Sequence, residues 1–454
     1  MVQFLLSELA TAIDGRLLGL ETSAPGVDTA VSVTDLSIDS RSVTAGQLFV
    51  PIVAERDGHE FIDSAVANGA GAYLTSGPMM STSSATGGSV PAVLVADTMT
   101  ALTAIGKLAR SRMTGAVIGI TGSVGKTSVK DLTLAACRSG GSVSASLASF
   151  NNEMGVPLTL ANAADGVDIA IVEMGARGIG HIAELAEVAA PTIGVVTCVA
   201  LAHSELFGNL EGVAQAKGEL VEALPASGVA VLNGDDPLVA AMASRTAATA
   251  ITFGTGAVDV RATGISVDRE LKPTFTIESD WGTAQLTLQV RGAHMAQNAA
   301  AAVAAAVSAG IDFSQAIEGL RSAELSPWRM SVAETEGGLV VVNDAYNANP
   351  TSMRAAIQAL LDVPAQHRVA VLGVMAELGI EGPEEHLAVA REATAAGIRV
   401  IAVDAEDYGR DVEHVVDRHE AYELLGSVGA GDAVLVKGSR VAGLELLAEQ
   451  LLDR

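Results

Sequence analysis

Positive charge is scarce in this sequence. Lysine and arginine total 27 against 53 aspartates and glutamates over 454 residues, a formal net charge of -26. A surface this acidic repels nucleic-acid phosphates, and no local basic patch offsets it, so nucleic acid is not expected as a partner. Cysteine is almost absent. Cys137 and Cys198 lie far apart, without metal-type spacing or a disulfide framework, which points to a reducing compartment, the cytoplasm. The N-terminus lacks a basic stretch followed by an apolar core and a small-residue cleavage site, so no signal peptide is expected. Long hydrophobic runs are missing too: the richest, Ala299 to Ala309, is too short and too weakly apolar to cross a bilayer. The length excludes a single ordinary core and predicts two to three domains of roughly 100 to 200 residues.

The rarity of lysine draws the eye to one stretch. Of six lysines in all, Lys126 falls on a glycine turn, Thr121-Gly122-Ser123-Val124-Gly125-Lys126-Thr127-Ser128, after the apolar run Ala116 to Ile120 and before a helical pattern. This reads as strand, phosphate loop and helix. Glycines let backbone N–H groups turn toward phosphate oxygens, the helix N-terminus adds partial positive charge, Lys126 reaches the outer phosphates, and a hydroxyl ligates Mg²⁺. The general pattern G-x-x-x-x-G-K-[ST] needs glycine at position 120, where Ile120 stands, so the form present is the shorter T-G-x-x-G-K-T-S. In a chain with 47 glycines, a chance turn before a surface lysine is the alternative.

Strand and helix alternate over about residues 113 to 325, which predicts a parallel sheet covered on both faces, with ligands at the carboxyl ends of its strands. One such run, Ile169 to Val172, ends in Glu173. A carboxylate there is costly to bury unless hydrated, paired or bound to metal, and the alternative is that Glu173 is the first exposed residue after the strand. A further strand, Ile193 to Val199, is followed by His203 and Glu205. Between Leu210 and Leu224, Val213, Leu220 and Leu224 share a helical face with Lys217, while Gln215, Glu219 and Glu222 fall opposite. A lysine on a buried stripe has a depressed pKa or a partner; otherwise it snorkels from the helix edge. Asn298, opening an alanine-rich helix, either caps it or touches a ligand.

Ser326-Pro327-Trp328-Arg329 breaks the pattern and suggests a hinge into a last α/β region, whose strands are expected at Leu339 to Val342, Val369 to Leu372, Arg399 to Val403 and Ala433 to Val436. The first ends in Asn343-Asp344-Ala345-Tyr346-Asn347-Ala348-Asn349-Pro350, dense enough in polar groups to read as a ligand edge. The last ends in Lys437-Gly438-Ser439-Arg440, a similar edge or a turn with two exposed cations. Toward the N-terminus, Asp39-Ser40-Arg41 and Asp57-Gly58-His59 read alone as turns, and Ser76 to Ser89 as a surface loop.

The order of these motifs, with Asn151-Asn152, Gly155-Val156-Pro157, Val172-Glu173-Met174-Gly175-Ala176, Ala216-Lys217-Gly218-Glu219 and Asp344 to Pro350, resembles the Mur ligases of peptidoglycan synthesis over nearly the whole chain. The pieces that discriminate best within that family are D-A-Y-N-A-N-P, Met375 to Gly379 and Val436 to Arg440. The resemblance implies three domains: a smaller α/β UDP-substrate domain (1–112), a central parallel-sheet ATPase of P-loop type (113–325), and a Rossmann-like C-terminal domain (326–454) that closes on the nucleotide and binds the incoming dipeptide. It further implies an ATP-dependent ligase, a monomer, that joins D-alanyl-D-alanine to UDP-N-acetylmuramoyl-tripeptide through an acyl phosphate. Rival readings are a ligase adding the third amino acid of the precursor, a P-loop kinase, and a non-catalytic nucleotide-binding subunit.

By the same resemblance Gly122, Ser123, Gly125, Lys126, Thr127 and Ser128 hold ATP, Asn298 touches adenine, Arg329 the terminal phosphate and Asp344 the nucleotide. Two Mg²⁺ ions are implied, with Thr127, Glu173, His203 and a carbamylated Lys217 as ligands. Catalytic roles fall to Lys126, Lys217, His203 and Arg329. Substrate contacts fall to Ser40, Arg41, Asp57, His59, Asn151, Asn152, Tyr346, Asn347, Asn349, Lys437, Ser439 and Arg440. Met295 departs from a common family asparagine, and Val374 from an aspartate that often precedes M-x-E-L-G.

Overall fold

A computed structural model describes residues 3–19, 31–78, 89–147, 149–200, 207–376 and 378–453. The chain divides into two compact units. One comprises Met1–Gly119, Ser142–Met174 and Glu184–Pro191; the other comprises Ile120–Gly141, Gly175–Ala183 and Thr192–Arg454.

The first unit opens with β1 (Gln3–Leu5), β2 (Arg16–Leu18), β3 (Ser32–Thr34), β4 (Leu36–Ser37), β5 (Leu48–Phe49), β6 (Ala72–Thr75) and β7 (Ala92–Leu94). β1 and β3 pair antiparallel, and β2-β7-β6-β5-β4 form a sheet that is parallel except at β2. Phe49, Ile62, Tyr73 and Ala92 are buried at its core. The helix Thr98–Arg112 starts where the Asp97 carboxylate accepts from the Thr100 amide, a side-chain cap for otherwise orphaned N–H groups. Next come β8 (Ala116–Thr121), whose last two residues belong to the other unit, β9 (Val143–Ala145) and β10 (Ile169–Glu173). β9 and β10 pair in parallel, and every residue of β10 is buried, as a strand covered on both faces requires. Asn162 grips β4 in amide fashion, accepting from Leu36 N (2.6 Å) and donating to Leu36 O (2.9 Å).

The second unit contains β11 (Ile193–Val196), β12 (Val229–Asn233), β13 (Thr249–Gly254), β14 (Val260–Val267), β15 (Pro273–Ser279) and β16 (Gly282–Thr287). β11 to β14 run parallel and β14 to β16 antiparallel. Composition follows: β11 is apolar and buried throughout, whereas β15 alternates buried with half-buried residues. The helix Met295–Ser308 is buried nearly all round, because alanine lets it approach the helix Lys126–Arg138 and β12 to β14 closely. Among the described residues no helix is long and apolar enough to cross a membrane.

Beyond Trp328 lie β17 (Ser331–Glu334), β18 (Val340–Asn343), β19 (Arg368–Leu372), β20 (Arg399–Val403), β21 (Glu413–Val415) and β22 (Ala433–Lys437), ordered β17-β18-β22-β19-β20-β21. All pairs are parallel except β17 with β18. Two apolar layers cover its faces, one around Met353, Leu360 and Val389, the other around Leu425, Leu447 and Leu451. The non-consecutive order brings the ends of β18 and β22, the two polar strand ends of the sequence, side by side.

Candidate active site

The phosphate loop is built by close backbone approach. Thr197 N donates to Thr121 O (3.0 Å), which seats the end of β8 beside the end of β11. Gly122 then adopts φ +145°, and a Cβ there would stand 1.9 Å from Thr197 Oγ1. Only glycine fits, on both conformational and steric grounds. That same Oγ1 donates to Val124 O (2.5 Å), while Ser123 N donates to Cys198 O (2.8 Å). Gly125, at φ +85°, hands the chain to the helix Lys126–Arg138. Lys126 Nζ donates to Gly122 O (2.7 Å), and Thr127 and Ser128 occupy the buried first turn. Asn298 is no cap: its helix begins at Met295. Its Nδ2 lies 3.5 Å from Met295 Sδ, and its Oδ1 faces Gly125.

Lys217 lies in the helix Leu210–Glu222 and is buried. Burial foremost, then the charge of Lys126, pushes its ammonium down to about 7. Snorkelling is thereby ruled out. Glu219, expected on the solvent side, is also buried; its oxygens accept from Gly180 N (2.5 Å) and Ala183 N (3.0 Å), so a carboxylate caps the helix His181–Ala189. Periodicity missed this because the wall facing that side of the helix is made of backbone amides. On Gly218 rests the guanidinium of Arg245, which donates to Ala214 O (3.0 Å) and Gln215 O (2.9 Å); a Cβ on Gly218 would lie 1.9 Å from its Nη1.

In the first unit, Glu173 at the end of β10 is buried rather than exposed. Asn151 Nδ2 donates to its Oε1 (2.8 Å), and among the described residues its buried Oε2 has no hydrogen-bond partner. Such an orphaned carboxylate oxygen suits a cation. Asn152 Oδ1 accepts from Gly155 N (3.0 Å). His203 and Glu205 lie outside the described residues.

Arg329 reaches back from the hinge. One of its nitrogens donates to Thr127 Oγ1 (3.0 Å), its guanidinium stacks 4.0 Å from the Tyr346 ring centroid, and its buried Nε has no partner among the described residues. Asp344 accepts from Met330 N (3.0 Å) and from Lys437 Nζ (2.5 Å). Lys437 is thus buried, not an exposed cation, whereas Arg440 stacks over Trp328 (4.4 Å). Asn349 forms a capping box with Ser352, Asn347 Oδ1 accepts from Ala348 N, and Ser439 Oγ accepts from Ala376 N.

The remaining expected contacts are turns in the first unit. Asp39 pairs with the exposed Arg41 (2.7 Å), and Ser40 is buried. Asp57 Oδ1 holds His59 Nδ1 (2.6 Å), and Ser76 Oγ lies 3.2 Å from His59 Nε2. This is no nucleophile relay, since the Ser76 amide itself donates to Nε2 (3.0 Å) and occupies the lone pair a base would use. Unforeseen from the sequence were Asn233, Asp235 and Asp236 at the end of β12. Asn233 donates to Thr197 O (2.7 Å), Gln297 bridges Asn233 and Asp235, and Asp236 accepts from Val199 N (2.7 Å). The signal was there: Asn-Gly-Asp-Asp-Pro closes an apolar run.

Strand, glycine loop, helix and converging cations define a phosphate-loop nucleotide-binding enzyme of the α/β class. A model of the Mur ligase middle domain matches residues 120–306, and one described as Mur ligase, glutamate ligase domain matches residues 328–440. The UDP-N-acetylmuramoyl-tripeptide--D-alanyl-D-alanine ligase of Mycobacterium tuberculosis (strain ATCC 25618 / H37Rv) is 36% identical, covering 100% of this chain and 98% of the relative. That of Escherichia coli (strain K12) is 34% identical, covering 100% and 99%. Among solved structures, MurF from Acinetobacter baumannii superposes with a TM-score of 0.86 at 26% identity, covering 100% of both chains. MurF ligase from Thermotoga maritima in complex with ADP gives 0.79 at 27%, covering 93% of this chain and 97% of that one. The chain belongs to the Mur ligase family.

Proposed function

We propose that this chain is an ATP-dependent ligase that joins D-alanyl-D-alanine to UDP-N-acetylmuramoyl-tripeptide. Its end-to-end likeness to relatives of that name carries the reading. The tripeptide's terminal carboxylate oxygen attacks the γ-phosphorus, the bond to ADP breaks, and an acyl phosphate forms. The dipeptide amine then attacks the acyl carbon, loses a proton and expels phosphate. Lys126 and Arg329 neutralise the crowded oxygens so that two anions can meet. Asn298, facing the glycine loop, is assigned to the adenine side.

Mg²⁺ would supply charge neutralisation at the phosphates. The donor chemistry of each unit by itself would suit it: in the first, the Glu173 oxygen that has no hydrogen-bond partner among the described residues; in the second, the Thr127 hydroxyl and Lys217 once carboxylated. A Lys217 amine that is neutral above about pH 7 can add CO₂ with loss of a proton, becoming an anionic carbamate. His203 is assigned to a second ion. In this reading residues 1–112 bind the UDP moiety through Ser40, Arg41, Asp57 and His59, residues 113–325 bind ATP, and residues 326–454 receive the dipeptide near Tyr346, Asn347 and Arg440. Asn151 and Asn152 face the precursor. The enzyme works as a cytoplasmic monomer.

The test supplies ATP, Mg²⁺ and UDP-N-acetylmuramoyl-tripeptide and follows phosphate release with and without D-alanyl-D-alanine. Dipeptide-dependent phosphate and a new amide are expected. ADP with a stable phosphorylated product would make the chain a kinase, and no response to the dipeptide would overturn the reading.

A further inference from the structure

The helix Met295–Ser308 carries Asn298, yet little in its sequence fixes how it is turned. Apart from Gln297 and Asn298 its only polar side chain is Ser308, and alanine fills most of the rest. Alanine lets a helix approach its neighbours closely but gives shallow ridges, which resist roll and slide poorly. Gln297 supplies the missing restraint. Its Nε2 donates both to Asn233 Oδ1 (3.1 Å) and to Asp235 Oδ2 (3.0 Å), where β12 ends.

Both acceptors are themselves held. The Asp235 carboxylate receives Thr255 N (2.6 Å), Thr255 Oγ1 (2.9 Å) and Gly256 N (2.9 Å) from the turn after β13, and a Cβ on Gly254 would stand 2.6 Å from its Oδ2. Asn233 is buried, accepts from Asp235 N (3.0 Å) as well, and its Nδ2 donates to Thr197 O (2.7 Å). Thr197 is the residue that holds Thr121 through its N–H and Val124 through its Oγ1, so a single amide side chain joins the phosphate loop to the helix of Asn298. We propose that Gln297 and Asn233 are positioning residues for the nucleotide: Gln297 turns Asn298 toward Gly125, and Asn233 ties that setting to the phosphate loop through Thr197. The inference rests on the reading of Asn298 as the adenine-side group.

Calorimetry with ADP, and displacement of ADP by inorganic tripolyphosphate, test this on the full chain. Gln297→Met keeps the length of the side chain and removes its donor; it should weaken ADP about tenfold while tripolyphosphate changes less than about twofold. Gln297→Glu sets a carboxylate against Asp235 and should weaken ADP further, again sparing tripolyphosphate. Asn233→Leu releases Thr197 too and should weaken both ligands about tenfold. A general loosening of the fold would weaken both ligands alike in every variant; that result, or unchanged ADP affinity in Gln297→Met, overturns the inference. Loss of ADP affinity alone in Asn233→Leu overturns the link to the phosphate loop. Should Asn233→Leu not fold, Asn233→Asp, which keeps an acceptor for Gln297 and loses the donor to Thr197, decides that link by the same criterion. Asn298→Ala runs alongside: unchanged ADP affinity there removes the reading beneath, whereas a weakened Asn298→Ala beside a normal Gln297→Met removes the inference alone.

Discussion

Replacing Lys217 with methionine should separate stability from activity. The lysine is buried and its pKa falls from an ordinary 10.5 to about 7, so protonating it in the fold costs roughly 5 kcal/mol more than in the unfolded chain. Between those values the unfolded chain holds a proton that the folded one lacks, and raising pH therefore stabilises the fold. In CO₂-free buffer the resulting penalty, relative to methionine, should shrink from about 4 kcal/mol near pH 7.5 to about 1.5 kcal/mol near pH 9.5. Urea unfolding of the two proteins across that range measures it. Lys217→Met should be the more stable near pH 7.5, with the gap narrowing on the alkaline side, and should be inactive throughout. Bicarbonate should alter the wild-type curve and leave the variant untouched. Parallel pH dependences for both proteins would refute a buried, depressed amine, and full activity in the variant would refute its use.

Gly122→Ala forces a side chain into a disfavoured φ and against Thr197; a loss of at least ~2 kcal/mol in stability or a collapse of ADP affinity, read by calorimetry, is expected. Gly218→Ala should impair turnover by displacing the Arg245 guanidinium, and a cycle with Arg245→Ala should show the two effects non-additive; additivity would mean that Gly218 matters for another reason. Asn349→Ala removes a capping box and should cost about 1 kcal/mol in thermal unfolding with KM for the dipeptide unchanged, whereas a large rise in KM would reveal substrate contact.

Local chemistry made part of this protein legible from its sequence. A glycine turn between an apolar run and a helical pattern specifies a phosphate loop, because positive φ at Gly122 and Gly125, with the close Thr197 side chain at Gly122, leaves few other residues possible there. Continuous apolar runs marked the parallel strands β10, β18, β20 and β22, and the 3.6-residue period placed Lys217 on a buried stripe. What periodicity cannot see is the wall a side chain meets. Glu219 reads as solvent-facing until the amides of Gly180 and Ala183 are brought against it, and Lys437 reads as either a ligand edge or an exposed turn cation until strand order sets β22 beside β18. Those are contacts between residues far apart in the chain, fixed by topology rather than by neighbours. Only the tertiary structure, therefore, decided which charged groups are committed to the fold and which, like Oε2 of Glu173 and Nε of Arg329, have no hydrogen-bond partner among the described residues.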